Sequence, residues 1–328
     1  MRGQRPDYWK DFSCIASECQ DNCCIGWEID VDPDSLKRYQ NMEGSMGERL
    51  RAGIDTNGQP HFRIQKDRRC VFLNQENLCD IQKELGEDAL CDICREHPRF
   101  YHVCGGIEEA GLGIACEEAA RLILNRKDSV HFSGIGPECQ DDWVCFLLTV
   151  REQLIQILQN RQIPIIKRMD RMLSYGKKVQ ESINQGHPIH KFSEEEISCQ
   201  SAEQIFACDM EFWLSFYQEL EIMDSRWHSM LRQAKALEWE DIPNEIFWEQ
   251  LSVYFIFRHF TAAEEDDDIY GKIRFAVLSC LIIFYASKSL ITKQPKDAWI
   301  RTAVLYSKEI EYSEENIEMI WEELLFTP

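Results

Sequence analysis

Apolar side chains recur at helical spacing over the second half of the chain and lose that period over the first. Trp143, Phe146, Leu147, Val150, Leu154, Ile157 and Leu158 fall on one i, i+3, i+4, i+7 stripe, and Ile165, Met169, Met172, Leu173 and Val179 repeat it. Further helices are predicted around Ala202–Lys235, Asn244–Thr261, Ile269–Leu290, Ala298–Ile310 and Glu314–Leu325. Breaks are expected at Gln185–Ser193, Leu237–Pro243 and Glu264–Asp268. The most apolar run, Phe275–Ala286, is too short to cross a bilayer and reads as a buried helix, so no membrane insertion is expected.

Before residue 126 the elements are short. Ile29–Val31 reads as a strand and Asp34–Met42 as a helix opened by Pro33. Glu43–Pro60 is interrupted by Gly44, Gly47, Gly53 and Gly58, which leaves room for a short helix and a turn. Arg99–Cys116 predicts a β-hairpin about a Gly105-Gly106 turn, followed by a helix over Glu117–Asn125. The fold expected is mainly α: a small α+β cysteine-rich, metal-binding N-terminal module over residues 1–126, a connection over 127–142 and a helical C-terminal part over 143–328.

Composition excludes disorder, because 44% of the 328 residues are apolar and no Pro/Gly/Ser tract runs long. Charge excludes nucleic acid as a partner: 57 acidic against 36 basic side chains leave no basic surface to neutralise phosphates. Of the net −21, only −7 falls in the first 126 residues, so the acidity belongs mainly to the helical part. It suits a cationic partner and equally serves solubility. The run Glu264–Asp268 reads as a solvated loop and helix N-cap.

Cysteine placement changes the picture more than charge does. Ten of the 15 lie within the first 116 residues. Met1–Lys10 is polar and carries no signal-peptide apolar stretch, so a cytoplasmic, reducing setting is expected, in which dense thiols read as metal ligands or redox groups. One group is Cys14-x4-Cys19-x3-Cys23-Cys24; the other is Cys70, Cys79, a true CxxC at Cys91–Cys94, then Cys104 and Cys116. Thiolates at such density suit zinc or an iron–sulfur cluster. Arg95 and Arg99 follow the CxxC and would either offset a cluster's negative charge or grip a carboxylate bidentately; pairing with surface acids such as Glu84 or Glu87 is the plainer alternative.

The segments FSCIASECQDNCCIGWEID, RCVFLNQENLCDIQKELGEDALCDICREHPRF and IACEEAARLIL, in that order, resemble the flagellin lysine-N-methylase (FliB) family, within the broader group of cysteine-rich domains described as zinc- or iron-chelating. The resemblance covers roughly Tyr8 to Leu124; across Trp143–Pro328 it amounts to helical character. It implies an S-adenosylmethionine-dependent protein lysine N-methyltransferase with a [4Fe–4S] cluster, acting on flagellin or another lysine-bearing bacterial protein. The ligand positions it implies are Cys14, Cys19, Cys23, Cys24, Cys70, Cys79, Cys94 and Cys116, with Cys19, Cys23, Cys24 and Cys94 the favoured four and Cys91 and Cys104 less strict. Arg95 and Arg99 are then candidates for the S-adenosylmethionine carboxylate; Trp27 could stack on its adenine, a core tryptophan being the plainer reading, and Glu117 and Glu118 could orient the substrate amine, although a helix start favours acids in any case. His97 stands where the family more usually has an aromatic residue.

Two features qualify the chemistry. Cys19-x3-Cys23 matches the first half of the radical Cx3Cx2C pattern, yet residue 26 is Gly, and no methyltransferase glycine loop follows a strand. Direct displacement by a deprotonated amine needs no metal, whereas reductive cleavage would use a cluster. The other classes in play are a non-enzymatic zinc- or iron-binding protein and a cluster-containing redox protein.

Overall fold

The helical period of the second half is realised in the computed structural model, which describes residues 3–133, 141–193, 197, 210–234, 244–290 and 295–327. The chain packs as two units. One comprises Met1–Asp11, Tyr101–Gly111 and Ala120–Pro328; the other comprises Phe12–Phe100 and Leu112–Ala119.

In the larger unit a sheet is assembled from β1 (Gly3–Pro6), β5 (Arg99–Cys104), β6 (Ile107–Leu112) and β7 (Phe132–Ser133), in the order β5-β6-β1-β7. The expected hairpin is present. Its turn uses Gly105 and Gly106 at positive φ, and a Cβ on Gly105 would lie 2.5 Å from a Val144 methyl. The hairpin ends at Leu112 and not at Cys116. β1 was not expected from its residues, GQRP, which show no alternation; it runs parallel to β6 and antiparallel to β7.

The helices of this unit are α6 (Asp142–Leu158), α7 (Ile165–Asn184), α8 (Met210–Glu219), α9 (Ser225–Gln233), α10 (Glu245–His259), α11 (Ile269–Ser287), α12 (Pro295–Tyr306) and α13 (Glu314–Phe326). α11 is the central post, packed against α7, α9, α10, α12 and α13. Gly176 of α7 allows the close approach, since a Cβ there would fall 2.3 Å from Ile273 Cδ1. α11 starts earlier than its most apolar run and, at 19 residues, is long and apolar enough to cross a membrane, which corrects the expectation of a helix too short for that. It is nonetheless a core helix, with 94% of its apolar window buried inside the protein. Asp268 caps it by accepting from Gly271 N at 2.8 Å, as the acidic run suggested.

The single helix expected over Ala202–Lys235 is two helices where it is described. The break at 220–224 is held by side chains from elsewhere: Glu309 accepts from Met223 N and Asp224 N, and Asn316 Oδ1 accepts from Glu221 N. Residues 134–140 of the expected connection, 202–209 and 235 of that helix, and the break at Leu237–Pro243 lie outside the described residues.

The smaller unit is the α+β part. A three-stranded antiparallel sheet, β2 (Ile29–Asp30), β4 (His61–Phe62) and β3 (Ile54–Asp55), packs with α1 (Pro33–Gln40), α2 (Gly44–Gly53), α3 (Asp80–Leu85) and α4 (Asp92–Glu96), and α5 (Glu117–Leu124) begins here. α2 occupies ten residues despite its glycines. Gly53 lies against the Phe72 ring, where a Cβ would be 2.5 Å from Cζ, so this glycine serves packing and not chain breaking.

Candidate metal centre

The core of the smaller unit combines Val31, Tyr39, Leu50, Ile54, Phe62, Phe72, Leu73 and Ile81 with the thiols of Cys70 and Cys91, and Cys24, Cys79 and Cys94 pack against it. Short-range pairings bring them there. Cys70 N donates to Cys24 O at 2.8 Å, and β-bridges join Ile64 to Cys70 and Leu73 to Cys79. Asp32 caps α1 through Ser35 N and also accepts from Asp92 N at 2.9 Å, which ties the CxxC helix to α1. Tyr39 Oη donates to Ala89 O at 2.6 Å beside it.

Two thiol pairs are hydrogen-bonded sulfur to sulfur: Cys23 with Cys24, and Cys91 with Cys94. The pairs sense each other electrostatically; Cys24 also senses Cys70 and Cys79, and Cys70 senses Cys91. The hydrogen bond with Cys23, then burial, drives the Cys24 thiol well up; burial pushes Cys70 up to about 11. Cys91 goes the other way, lowered by the hydrogen bond it receives from Cys94. None of these six cysteines is in a disulfide.

A second group lies around Glu117. Its Oε2 accepts from Gln20 N at 2.7 Å, Asp21 N at 3.1 Å and Cys19 Sγ at 3.6 Å, pinning the first cysteine loop to the start of α5. Cys19 is pushed up to about 12, chiefly by burial. Cys116 stands in the field of both Cys23 and Cys14, and Cys14 is exposed.

Of the favoured four, Cys23, Cys24 and Cys94 come together, while Cys19 is engaged by Glu117. Cys91, taken as less strict on sequence, is fully buried in the same core as Cys70. Cys104 is elsewhere: in the larger unit it packs with Ile107 and Val144. Arg95 is engaged by Asp92 and Glu96, and Arg99 lies over the Phe12 ring. Trp27 Nε1 donates to Cys23 O at 2.7 Å, and its ring meets His97 edge-on. Glu118 begins α5 next to Glu117.

Among the described residues no three His, Cys, Asp or Glu side chains gather on a point as a single ion requires. An iron–sulfur cluster asks for something else: its cysteines bind different iron atoms and surround the cluster without meeting. Cys24, Cys70, Cys79, Cys91 and Cys94, packed in one core with Cys23 as an electrostatic neighbour and none in a disulfide, are the donor type such a cluster takes.

A sequence model described as the FliB lysine N-methylase C-terminal domain matches residues 151–326. The chain belongs to the FliB lysine N-methylase family. The match falls where the motif resemblance was slightest, in the helical part. Curated relatives include the lysine-N-methylases of Salmonella choleraesuis (strain SC-B67) and Salmonella typhimurium (strain LT2), each 30% identical over 142 residues, 39% of this chain and 34% of theirs. The flagellar biosynthetic protein FliU of Salmonella muenchen is 30% identical over 139 residues, 38% of this chain and 78% of its own. The chain thus spans about a third of the length of the lysine-N-methylases it matches. No solved structure matches.

Proposed function

We propose that this FliB-family protein is a protein lysine N-methyltransferase that takes its methyl group from S-adenosylmethionine and carries a [4Fe–4S] cluster. The single observation that supports the metal part is the packing of Cys24, Cys70, Cys79, Cys91 and Cys94 in one core, with Cys23 beside Cys24 and in the field of Cys94. Four of these six would hold the cluster, which supplies electrons one at a time. The methyltransferase part rests on family membership and on relatives named lysine-N-methylase. Flagellin is the first substrate to test, because one relative is named a flagellar biosynthetic protein.

Anaerobically purified protein is expected to be brown, with about four iron and as much sulfide per chain. Colourless protein with stoichiometric zinc overturns the cluster. Labelled S-adenosylmethionine, with flagellin and with or without reductant, tests the activity. Label on lysine supports the reading, and no transfer under either condition refutes it.

A further inference from the structure

Buried polar groups of the larger unit converge where α10 ends and the chain passes from α12 into a π-helical turn, Ser307–Glu311. The Glu311 side chain is completely buried. It accepts from Tyr254 Oη at 3.0 Å and is hydrogen-bonded to His259 Nε2 at 2.7 Å, and it forms an ion pair with Arg258 Nε at 3.1 Å. Burial alone would raise this carboxyl, but Arg258 and His259 outweigh it and hold its pKa at about 2.

A carboxylate has no proton to give, so Nε2 of His259 must carry the hydrogen between them. Burial in turn holds His259 below the ordinary histidine value, so the ring is neutral and Nδ1 keeps its lone pair. The arrangement is that of a carboxylate that orients an imidazole and stabilises the imidazolium it becomes.

The surroundings suit an alkylammonium. The imidazole is stacked with Phe255 and meets Phe275 edge-on at 5.2 Å, and Phe275 meets Trp321 edge-on. His102 of β5 is an electrostatic neighbour of His259, and its Nε2 is buried with no hydrogen-bond partner among the described residues. An orphaned buried ring nitrogen beside a ring with a free lone pair marks a place for a polar guest. The charged and titratable groups facing His259 are Glu311 on the π turn, Arg258 and Tyr254 on its own helix, and His102 on β5; Tyr306 of α12 acts on Glu311.

We propose that His259, oriented by Glu311 and flanked by His102, receives the ε-ammonium of the substrate lysine and takes its proton. This rests on the lysine-methylation reading. At neutral pH a lysine amine is protonated and has no lone pair to offer a methyl group. In the step proposed one Nζ–H bond breaks, its electron pair stays on Nζ, and the proton forms an N–H bond at Nδ1 of His259. The imidazolium's new charge is met by Glu311. The aromatic rings bury the lysine methylenes and disfavour the ammonium by desolvation, which helps the transfer.

Protein labelled with ¹⁵N-histidine tests the site without turnover. His259 is expected in the Nε2–H form, and Nα-acetyl-lysine methylamide should move the His259 and His102 ring signals while the norleucine analogue does not. No shift at saturation, or equal shifts with both, overturns the site. In turnover, His259→Gln should lower kcat by about a hundredfold or more, leave KM within a few-fold, and remove the acidic limb of the pH profile. A Glu311→Gln variant serves should His259→Gln not fold, and an unchanged acidic limb overturns the role. Lysine-dependent shifts without any methyl transfer would retain the amine site and sink the methylation reading; transfer without shifts would do the reverse.

Discussion

Replacing Glu311 by Gln tests the charge balance of the buried network through its pH dependence. At neutral pH the variant leaves Arg258 buried without its counter-charge, and breaking such a pair costs about 3–5 kcal/mol. The wild-type carboxyl has a folded pKa of about 2 against 4.5 in the unfolded chain. Because the folded value is the lower one, its stabilisation is fully present above the unfolded value and is lost as pH falls toward the folded one. The whole difference corresponds to about 3 kcal/mol, of which about 1.4 kcal/mol is gone by about pH 3.5.

Glutamine at 311 cannot titrate, so the gap between the two proteins should narrow by that amount between neutral pH and about pH 3.5. Urea unfolding followed by circular dichroism at each pH gives both stabilities, and other carboxylates cancel in the difference. With His259→Gln in both proteins, so that no imidazole titrates beside residue 311, a gap that stays constant over this range refutes a charged Glu311. The same result would remove the argument that Nε2 of His259 carries the proton.

Arg151→Met should cost about 3–5 kcal/mol in thermal or urea unfolding, because it strands buried Glu109; Arg151→Met with Glu109→Met should regain most of that, and a single variant as stable as wild type refutes the pair's importance. Cys91→Ser should lower bound iron in anaerobic preparations while Cys14→Ser leaves it near the wild-type value; the opposite ranking would replace the core thiols by the exposed one. Gly53→Ala forces a methyl into the Phe72 ring and should cost about 1–3 kcal/mol, read as faster proteolysis of the smaller unit; an unchanged cleavage rate counts against that packing. The acidic excess after residue 126 should make KM for a lysine-rich protein substrate rise with salt while kcat holds, and a salt-independent KM would leave the charge to solubility.

What could be read from sequence follows from which physical signals are local. The stripe through Trp143 and Leu158 became α6, and the acidic run supplied Asp268 as a cap, because period and capping act within a few residues. The extent of α11 was predicted to within three residues, at Ile269–Leu290 against Ile269–Ser287, although Lys272 and Arg274 interrupt its apolar run. Lys272 is buried all the same, its charge met by Asp266 and by the Trp321 ring at 3.9 Å. β1 exists only because distant strands pair with it on both sides.

The thiol-rich core was half legible. Counting cysteines located it, but spacing could not say that Cys91 belongs while Cys19 is engaged by Glu117, some hundred residues away in sequence. The Glu311 network left no sequence signal. Arg258 and His259 stand in the last turn of α10, where helix dipoles favour basic residues in any protein.

The route of the chain decides how these ideas can be tested. The larger unit takes residues 1–11 and 101–111 as well as everything after 120, so its sheet and its helices are not contiguous in sequence. Cutting the chain near residue 126 or 143 would remove β1, β5 and β6 from the helices that belong with them. Arg151 would lose both Glu109 and Gln4, which leaves a guanidinium buried at 3% exposure without either partner. His259 would lose His102. A helical fragment is therefore expected to be unstable by the several kcal/mol of a broken buried pair, and it would fail in a methylation or lysine-binding assay for reasons unrelated to chemistry. Single substitutions in the full chain keep the two questions, metal and amine, separable.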